Sequence, residues 1–308
     1  MAVPRAPISD AELARLVAEF ARSASVEVTA GDAGLVATLA AELPPASVVY
    51  VAHTPKATIE DVVRTAVVVQ AAGFAACPHI VARRIADPDA LQACCERLAG
   101  AGVDRALVIA GDNGQPAGKF ASALDVLRTD LLAAHGLTRI GVAGHPEGHR
   151  VIGQTVLWRA LAEKQTWAGR HGIDMHVVTQ FGFDPAAVAS WDACLGEHDI
   201  GLPVHVGMAG PASLPQLIGY AMQCGVGASL RGALQSMNAM RNVAGLATSP
   251  DQMLTSIARY AGSGTTHIAG VHFYSFGGAL ATARWLRVVA DGRFELNAGA
   301  DAFATTTG

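Results

Sequence analysis

Along the chain, short apolar runs rich in β-branched residues alternate with longer segments whose apolar residues recur at helical spacing. The short runs read as strands buried on both faces. They fall within residues 25–32, 47–54, 74–83, 105–114, 139–149, 175–180, 202–212 and 267–278. The longer segments, over 58–72, 88–100, 121–134, 155–170, 185–197, 213–224, 250–262 and 279–290, read as helices, and most close near glycine or proline. Strict alternation of this kind implies a parallel sheet with right-handed crossovers. Eight such units in 308 residues predict a (β/α)8 TIM barrel rather than an open sheet. Before the first strand, Ser9-Asp10-Ala11-Glu12 has the form of a capping box that opens a helix to Arg22. Residues 1–24 are therefore expected as an N-terminal helix capping one end of the barrel, with the barrel over about 25–290 and a tail over 291–308, all in one domain.

A barrel of this class builds its active site from the carboxyl ends of its strands. Glu27, Asp112, His145, His149 and Gln180 are expected at that end. The clearest case is the stretch MHVVTQFGFD, where Val177 and Val178 supply a strand, Gln180 stands where it leaves the sheet, and Asp184-Pro185 offers a helix cap. Glu27 lies between Val26 and Val28, where an ionised carboxylate is costly to bury unless it is paired or used. The residues alone leave a structural pair and a general acid equally open. Asp112 follows a glycine and, taken alone, reads as a turn or cap residue. His79 and His205 read as core histidines rather than ligands. The cluster His145-Pro146-Glu147-Gly148-His149 lacks the helical spacing of a zinc-binding HExxH, so no metal is expected. Neither a phosphate loop nor a GxSxG elbow occurs.

Composition narrows the partners. The chain is 51% hydrophobic and 16% charged, ample for one large core. A net charge of -4 provides no basic footprint for nucleic acid. Mean hydropathy is high at +0.32, but charged residues, glycine or proline interrupt every apolar run before it reaches membrane-spanning length. The amino terminus has no signal-peptide pattern, and the five cysteines include no CxxC pair, which together suggest a reducing cytoplasm.

With these residues laid out, the chain resembles the methylenetetrahydrofolate reductase family across most of its length. The resemblance is carried by Glu27 in VEVTAGD, Pro78-His79-Ile80, Gly111-Asp112, the 145–149 cluster with histidine in place of a tyrosine, Thr179-Gln180-Phe181-Gly182-Phe183-Asp184 with one glycine substituted, and His272-Phe273-Tyr274, all in the family's order. It implies a barrel oxidoreductase of one-carbon metabolism that interconverts 5,10-methylenetetrahydrofolate and 5-methyltetrahydrofolate with NAD(P)H and flavin adenine dinucleotide. Glu27 would be the general acid, Asp112 would stabilise the cationic intermediate and hold the pterin, and Gln180 and Phe183 would bind the folate. His53, Thr54, His79, His149 and Lys164, with the positions of Ala110, Phe120, Ala121 and His145, would line the flavin site.

Departures fall on that flavin side: Ala110 replaces an arginine, His145 a tyrosine, Ala123 an aspartate, and Trp158 stands near the position where the family has a flavin-contacting aspartate. Arg83 and Arg84 are candidate substitutes. A loosely held flavin is the expectation, with direct hydride transfer from nicotinamide to folate as a variant. A non-redox barrel lyase and a folate-binding module without turnover are the alternatives. The resemblance leaves room for a homo-oligomer.

Overall fold

The computed structural model of the protein describes residues 7–111, 114–212, 217–219 and 249–306. Eight strands pair in chain order: β1 (Ser25–Thr29), β2 (Val48–Ala52), β3 (Ala75–Val81), β4 (Arg105–Ile109), β5 (Arg139–Gly144), β6 (Asp174–Thr179), β7 (Val204–Ala209) and β8 (Ile268–Tyr274). Every pairing is parallel, and β8 closes on β1 through Ser25 opposite His272 and Val26 opposite Phe273. The (β/α)8 barrel expected from the alternation is the fold.

The helices are α1 (Asp10–Ser23), α2 (Val36–Leu39), α3 (Ile59–Ala71), α4 (Pro88–Gly100), α5 (Ala123–Leu127), α6 (Leu131–Ala134), α7 (Gln154–His171), α8 (Pro185–Glu197), α9 (Asp251–Gly262) and α10 (Ala279–Ala290). Their starts follow from capping chemistry. Ser9 Oγ accepts from the Glu12 amide at 3.2 Å, Thr58 and Asp61 form a reciprocal capping box, and Asp184 caps α8 with Pro185 at its first position. The amino-terminal helix α1 packs on α9, α10 and β8. Among the described residues, no helix is long and apolar enough to cross a membrane. The expected helix over 213–224 lies outside the described residues apart from 217–219, and so does Asp112.

Two expectations need correction. The segment 121–134 is not one helix but two, α5 and α6, because Asp130 takes a left-handed conformation (φ 59°) between them. Tertiary contacts hold it there: Trp167 Nε1 donates to its carboxylate at 3.2 Å and His171 Nε2 lies 3.1 Å away. The apolar spacing runs on across that break, so periodicity cannot reveal it. Residues 291–308 are also more than a tail. Phe294–Leu296 (β9) and Phe303–Thr305 (β10) pair antiparallel, and Phe303 packs against Trp285 and Phe294.

Strand residues alternate between two environments. Val26, Val28, Val49 and Val51 belong to the main apolar core between sheet and helices. Tyr50, Cys77, Leu107 and Val178 form a separate cluster inside the barrel. Outside it, one buried carboxylate ties three elements together. Asp192 of α8 is 1% exposed and accepts from Tyr260 Oη (2.9 Å), Thr266 Oγ1 (2.8 Å) and the His267 amide (2.9 Å). Those donors come from α9 and from the approach to β8. Asp192→Ala removes the acceptor of all three and should cost roughly 2–4 kcal/mol. Denaturant unfolding at neutral pH checks this, and a loss below about 1 kcal/mol would show the network to be incidental.

Candidate active site

Barrels of this class usually fill with branched aliphatic side chains. This one turns a largely polar set inward. Along the ladder Glu27 lies opposite Tyr50, and Tyr50 opposite Cys77; on the other side Gly207 lies opposite His272, and His272 opposite Ser25. Tyr50 Oη is 2.9 Å from His176 Nε2, and its ring lies 4.4 Å from that of His272. The His176 and His205 rings are 5.0 Å apart, and Ser25 Oγ is 2.8 Å from His272 Nδ1. Burial is the leading cause that lowers the pKa of each imidazole, to about 3 for His79 and His176 and well below the ordinary value for His272. His205 shifts in the same direction for the same reason. All four are therefore neutral at physiological pH.

Glu27 is the only carboxylate of β1, and its side chain is 13% exposed. Its Oε2 faces His79 Nε2 at 3.6 Å, too long for a hydrogen bond. Desolvation raises the Glu27 pKa to about 8. The carboxyl is thus protonated at neutral pH, a stored proton within a polar interior. Ser275, just past β8, donates through its hydroxyl to the Glu27 carbonyl oxygen and fixes the backbone that carries it.

Near the same strand ends lies an aromatic lip. Phe181, Ala209, Ala212, Leu217 and Phe276 form a small apolar cluster with Phe183 and Tyr274 packed on it. Tyr274 Oη donates to the Thr179 carbonyl at 3.0 Å, and the Gly207 amide donates to Thr179 Oγ1 at 2.8 Å. A Cβ on Gly207 would stand 2.2 Å from the Thr179 carbonyl oxygen, so only glycine lets β6 and β7 meet here. The Gln180 side chain accepts from the Phe181 amide at 3.0 Å through Oε1. Gly182, where the resemblance has a bulkier residue, leaves room for Glu147: a Cβ would lie 2.5 Å from Glu147 Oε1, the movable end of a side chain that accepts from the Phe183 amide at 3.4 Å. The loop after β5 docks on the loop after β6 through that contact.

The expected flavin contacts fall into two groups, one around Arg83 and Arg84 and one around His145. His53 Nε2 lies 3.1 Å from the Ala57 carbonyl, and burial lowers its pKa to about 4. Arg84 Nη1 donates to the His53 and Thr54 carbonyls at 2.9 and 2.5 Å, and Arg83 Nε donates to the Ala121 carbonyl at 2.9 Å. The Ala110 carbonyl accepts from the Arg83 amide at 3.0 Å, and Phe120 is buried in the main core. His149 Nδ1 accepts from the Val151 and Ile152 amides, and its ring meets His145 edge-on at 5.1 Å. His145 and Lys164 open instead onto a cavity of about 30 Å³ between the end of β5 and α7, closed by Trp158 and Trp191. Burial lowers the pKa of both, His145 to about 4 and Lys164 to about 8.

Among the described residues, no three His, Cys, Asp or Glu side chains converge closely enough to hold a metal ion. Of the site residues expected from sequence, Glu27 and His79 meet directly, whereas His145, His149 and Lys164 form a separate group. The inward-facing Tyr50, His176, His205 and His272 were not anticipated as a set. Their signal is period-two spacing along the strands, legible once register is known.

Buried imidazoles and the buried carboxyl have opposite consequences for stability. The imidazoles have folded pKa values below the unfolded 6.5, so the unfolded state binds more protons as the medium is acidified. Unfolding free energy should fall as pH drops from about 6.5 toward about 3, and a flat profile across that window would contradict their burial. Glu27 has a folded pKa above its unfolded 4.5, so its contribution is present below that value and is lost as pH rises toward about 8. Glu27→Gln should therefore be the more stable protein at pH 8, by a few kcal/mol, since each tenfold change in proton affinity is worth about 1.4 kcal/mol. The gain should shrink toward pH 4.5, as paired denaturation curves would show.

No family model matches the chain. Similar solved structures include a protein described as a lyase/mutase from Burkholderia cenocepacia J2315, 14% identical over 90% of each chain with a TM-score of 0.45. Another is Yersinia pestis DHPS with a pterine-sulfa conjugate, 12% identical over 88% of this chain and 95% of that one, TM-score 0.45. The carboxyl transferase domain of Rhizobium etli pyruvate carboxylase is 13% identical over 70% of this chain and 35% of that one, TM-score 0.37. What identifies the fold is the protein's own closed ladder of eight parallel strands, which makes it a (β/α)8 barrel.

Proposed function

We propose that the protein is an enzyme that protonates and reduces a small heterocyclic substrate at the mouth of its barrel, with Glu27 as general acid. The observation that carries this reading is a carboxyl group kept protonated at neutral pH by burial, facing a neutral imidazole. A group with a pKa near the working pH is suited to hand a proton to a departing nitrogen. The resemblance in sequence supplies the substrate: 5,10-methylenetetrahydrofolate, whose imidazolidine ring opens when one nitrogen is protonated, leaving a methylene iminium ion that accepts hydride from NAD(P)H. Phe183 and Tyr274 offer aromatic surface for flat rings, and Gln180 offers an amide for their polar edges. Asp112, outside the described residues, keeps in this reading the role of stabilising the cation. Against flavin adenine dinucleotide as the carrier stands the way Arg83 and Arg84, the candidate substitutes for the missing contacts, bond the Ala121, His53 and Thr54 carbonyls.

A second reading is a non-redox barrel lyase in which Glu27 and Asp112 act as acid and base. The two separate in one assay, since only the first oxidises a dihydronicotinamide in the presence of methylenetetrahydrofolate. In that assay Glu27→Gln should bind folate nearly normally and lose roughly 10²–10⁴-fold in turnover. Wild-type kcat/KM should decline as pH rises through about 8, where Glu27 loses its proton. Turnover near wild type in Glu27→Gln removes this residue from the chemistry.

A further inference from the structure

We infer that hydride passes directly from dihydronicotinamide to the folate-derived iminium carbon in this barrel, with no flavin between them. The inference rests on the reductase reading above and deepens it. A flavin dinucleotide carries a three-ring system and a charged pyrophosphate, and holding them takes donors that converge along one groove. Here several of the expected contacts turn to backbone partners instead. Arg84 bonds the His53 and Thr54 carbonyls, Arg83 bonds the Ala121 carbonyl, His53 faces the Ala57 carbonyl, and His149 accepts from its own loop.

Lys164, half-buried, opens with His145 onto about 30 Å³. That is room for one or two waters, not for a phosphate or a ring. The space cannot be widened cheaply. Trp158 stacks with Trp191 (5.6 Å, 19°) and with His198 (4.6 Å, 22°), and displacing a buried indole from both partners forfeits that packing. Around Glu27 the chemistry differs. Extending the β1–β8 register by one residue sets Tyr274 beside Glu27, and Tyr274 stacks with Phe276 at 18°. In this proposal Phe183 and Tyr274, the partly buried members of the aromatic cluster, take the nicotinamide and pterin rings.

The step balances without another carrier. Glu27 gives its proton to the amine nitrogen as the carbon–nitrogen bond breaks, leaving the methylene iminium ion. The C4–H bond of the dihydronicotinamide then breaks, and its hydrogen leaves with both electrons to form the third C–H bond of the methyl group. Nicotinamide is oxidised to the pyridinium, the iminium is reduced to an N-methyl amine, and the Glu27 carboxylate recovers its proton from solvent.

The test uses the purified full chain with methylenetetrahydrofolate and dihydronicotinamide dinucleotide deuterated at C4, in ordinary water, the two C4 epimers assayed separately. Direct transfer predicts a methyl product that retains one deuterium in full from one epimer and none from the other, at a rate unchanged by added flavin adenine dinucleotide. A reduced flavin exchanges its N5 hydrogen with water, so methyl product with the label washed out overturns the inference while leaving the reductase reading intact. Saturable quenching of flavin fluorescence on titration with the protein, accompanied by a gain in rate, overturns it in the same way. Absence of both nicotinamide oxidation and methyl product overturns the reductase reading, and this inference with it.

Discussion

Desolvation inside a closed barrel is the constraint on which the rest of this structure turns. Eight parallel strands leave no edge for water to enter, so any titratable side chain pointing inward is judged by its partners alone. Imidazoles respond by staying neutral, and a carboxyl responds by keeping its proton. The interior is polar in composition yet nearly uncharged in state, which is how Glu27, His79, His176, His205 and His272 share one enclosed space with Tyr50 and Cys77.

Two buried carboxylates of the same chain show how partner number decides the outcome. Asp192, between helices, receives donors from Tyr260, Thr266 and the His267 backbone. Glu27, inside the barrel, faces one imidazole nitrogen beyond hydrogen-bond reach. The first arrangement spends a carboxylate on holding α8, α9 and β8 together. The second leaves a carboxyl with reactivity to spare and burdens the folded state with it, which is the trade expected where stability and chemistry compete for one residue.

The loops at the strand ends pack against one another in two regions. Around β1, β6 and β8 the glycine at 207 and the Tyr274–Thr179 bond draw strands together beneath an aromatic lip. Around β5, Glu147 reaches across to the Phe183 amide through the space that Gly182 leaves, and Trp158 fills the region beside Lys164. Substitutions that look unrelated in sequence, the glycine at 182 and the tryptophan at 158, both serve close packing between neighbouring βα units.

The alternation of strand and helix patterns was enough to determine the barrel, the helix starts at Ser9, Thr58 and Asp184, and the place of Glu27 in the first strand, because these depend on local periodicity and capping. Tertiary structure alone decided the rest. The break at Asp130 depends on Trp167 and His171 from a helix more than thirty residues away, and the docking of residues 294–305 depends on Trp285. That His176, His205 and His272 share the interior with Glu27 follows from strand register and barrel closure, which no single segment encodes. Whether Glu27 is a paired anion or a neutral acid was open in the sequence for the same reason: its charge is set by which groups from other strands surround it, and those are brought together only when the barrel closes.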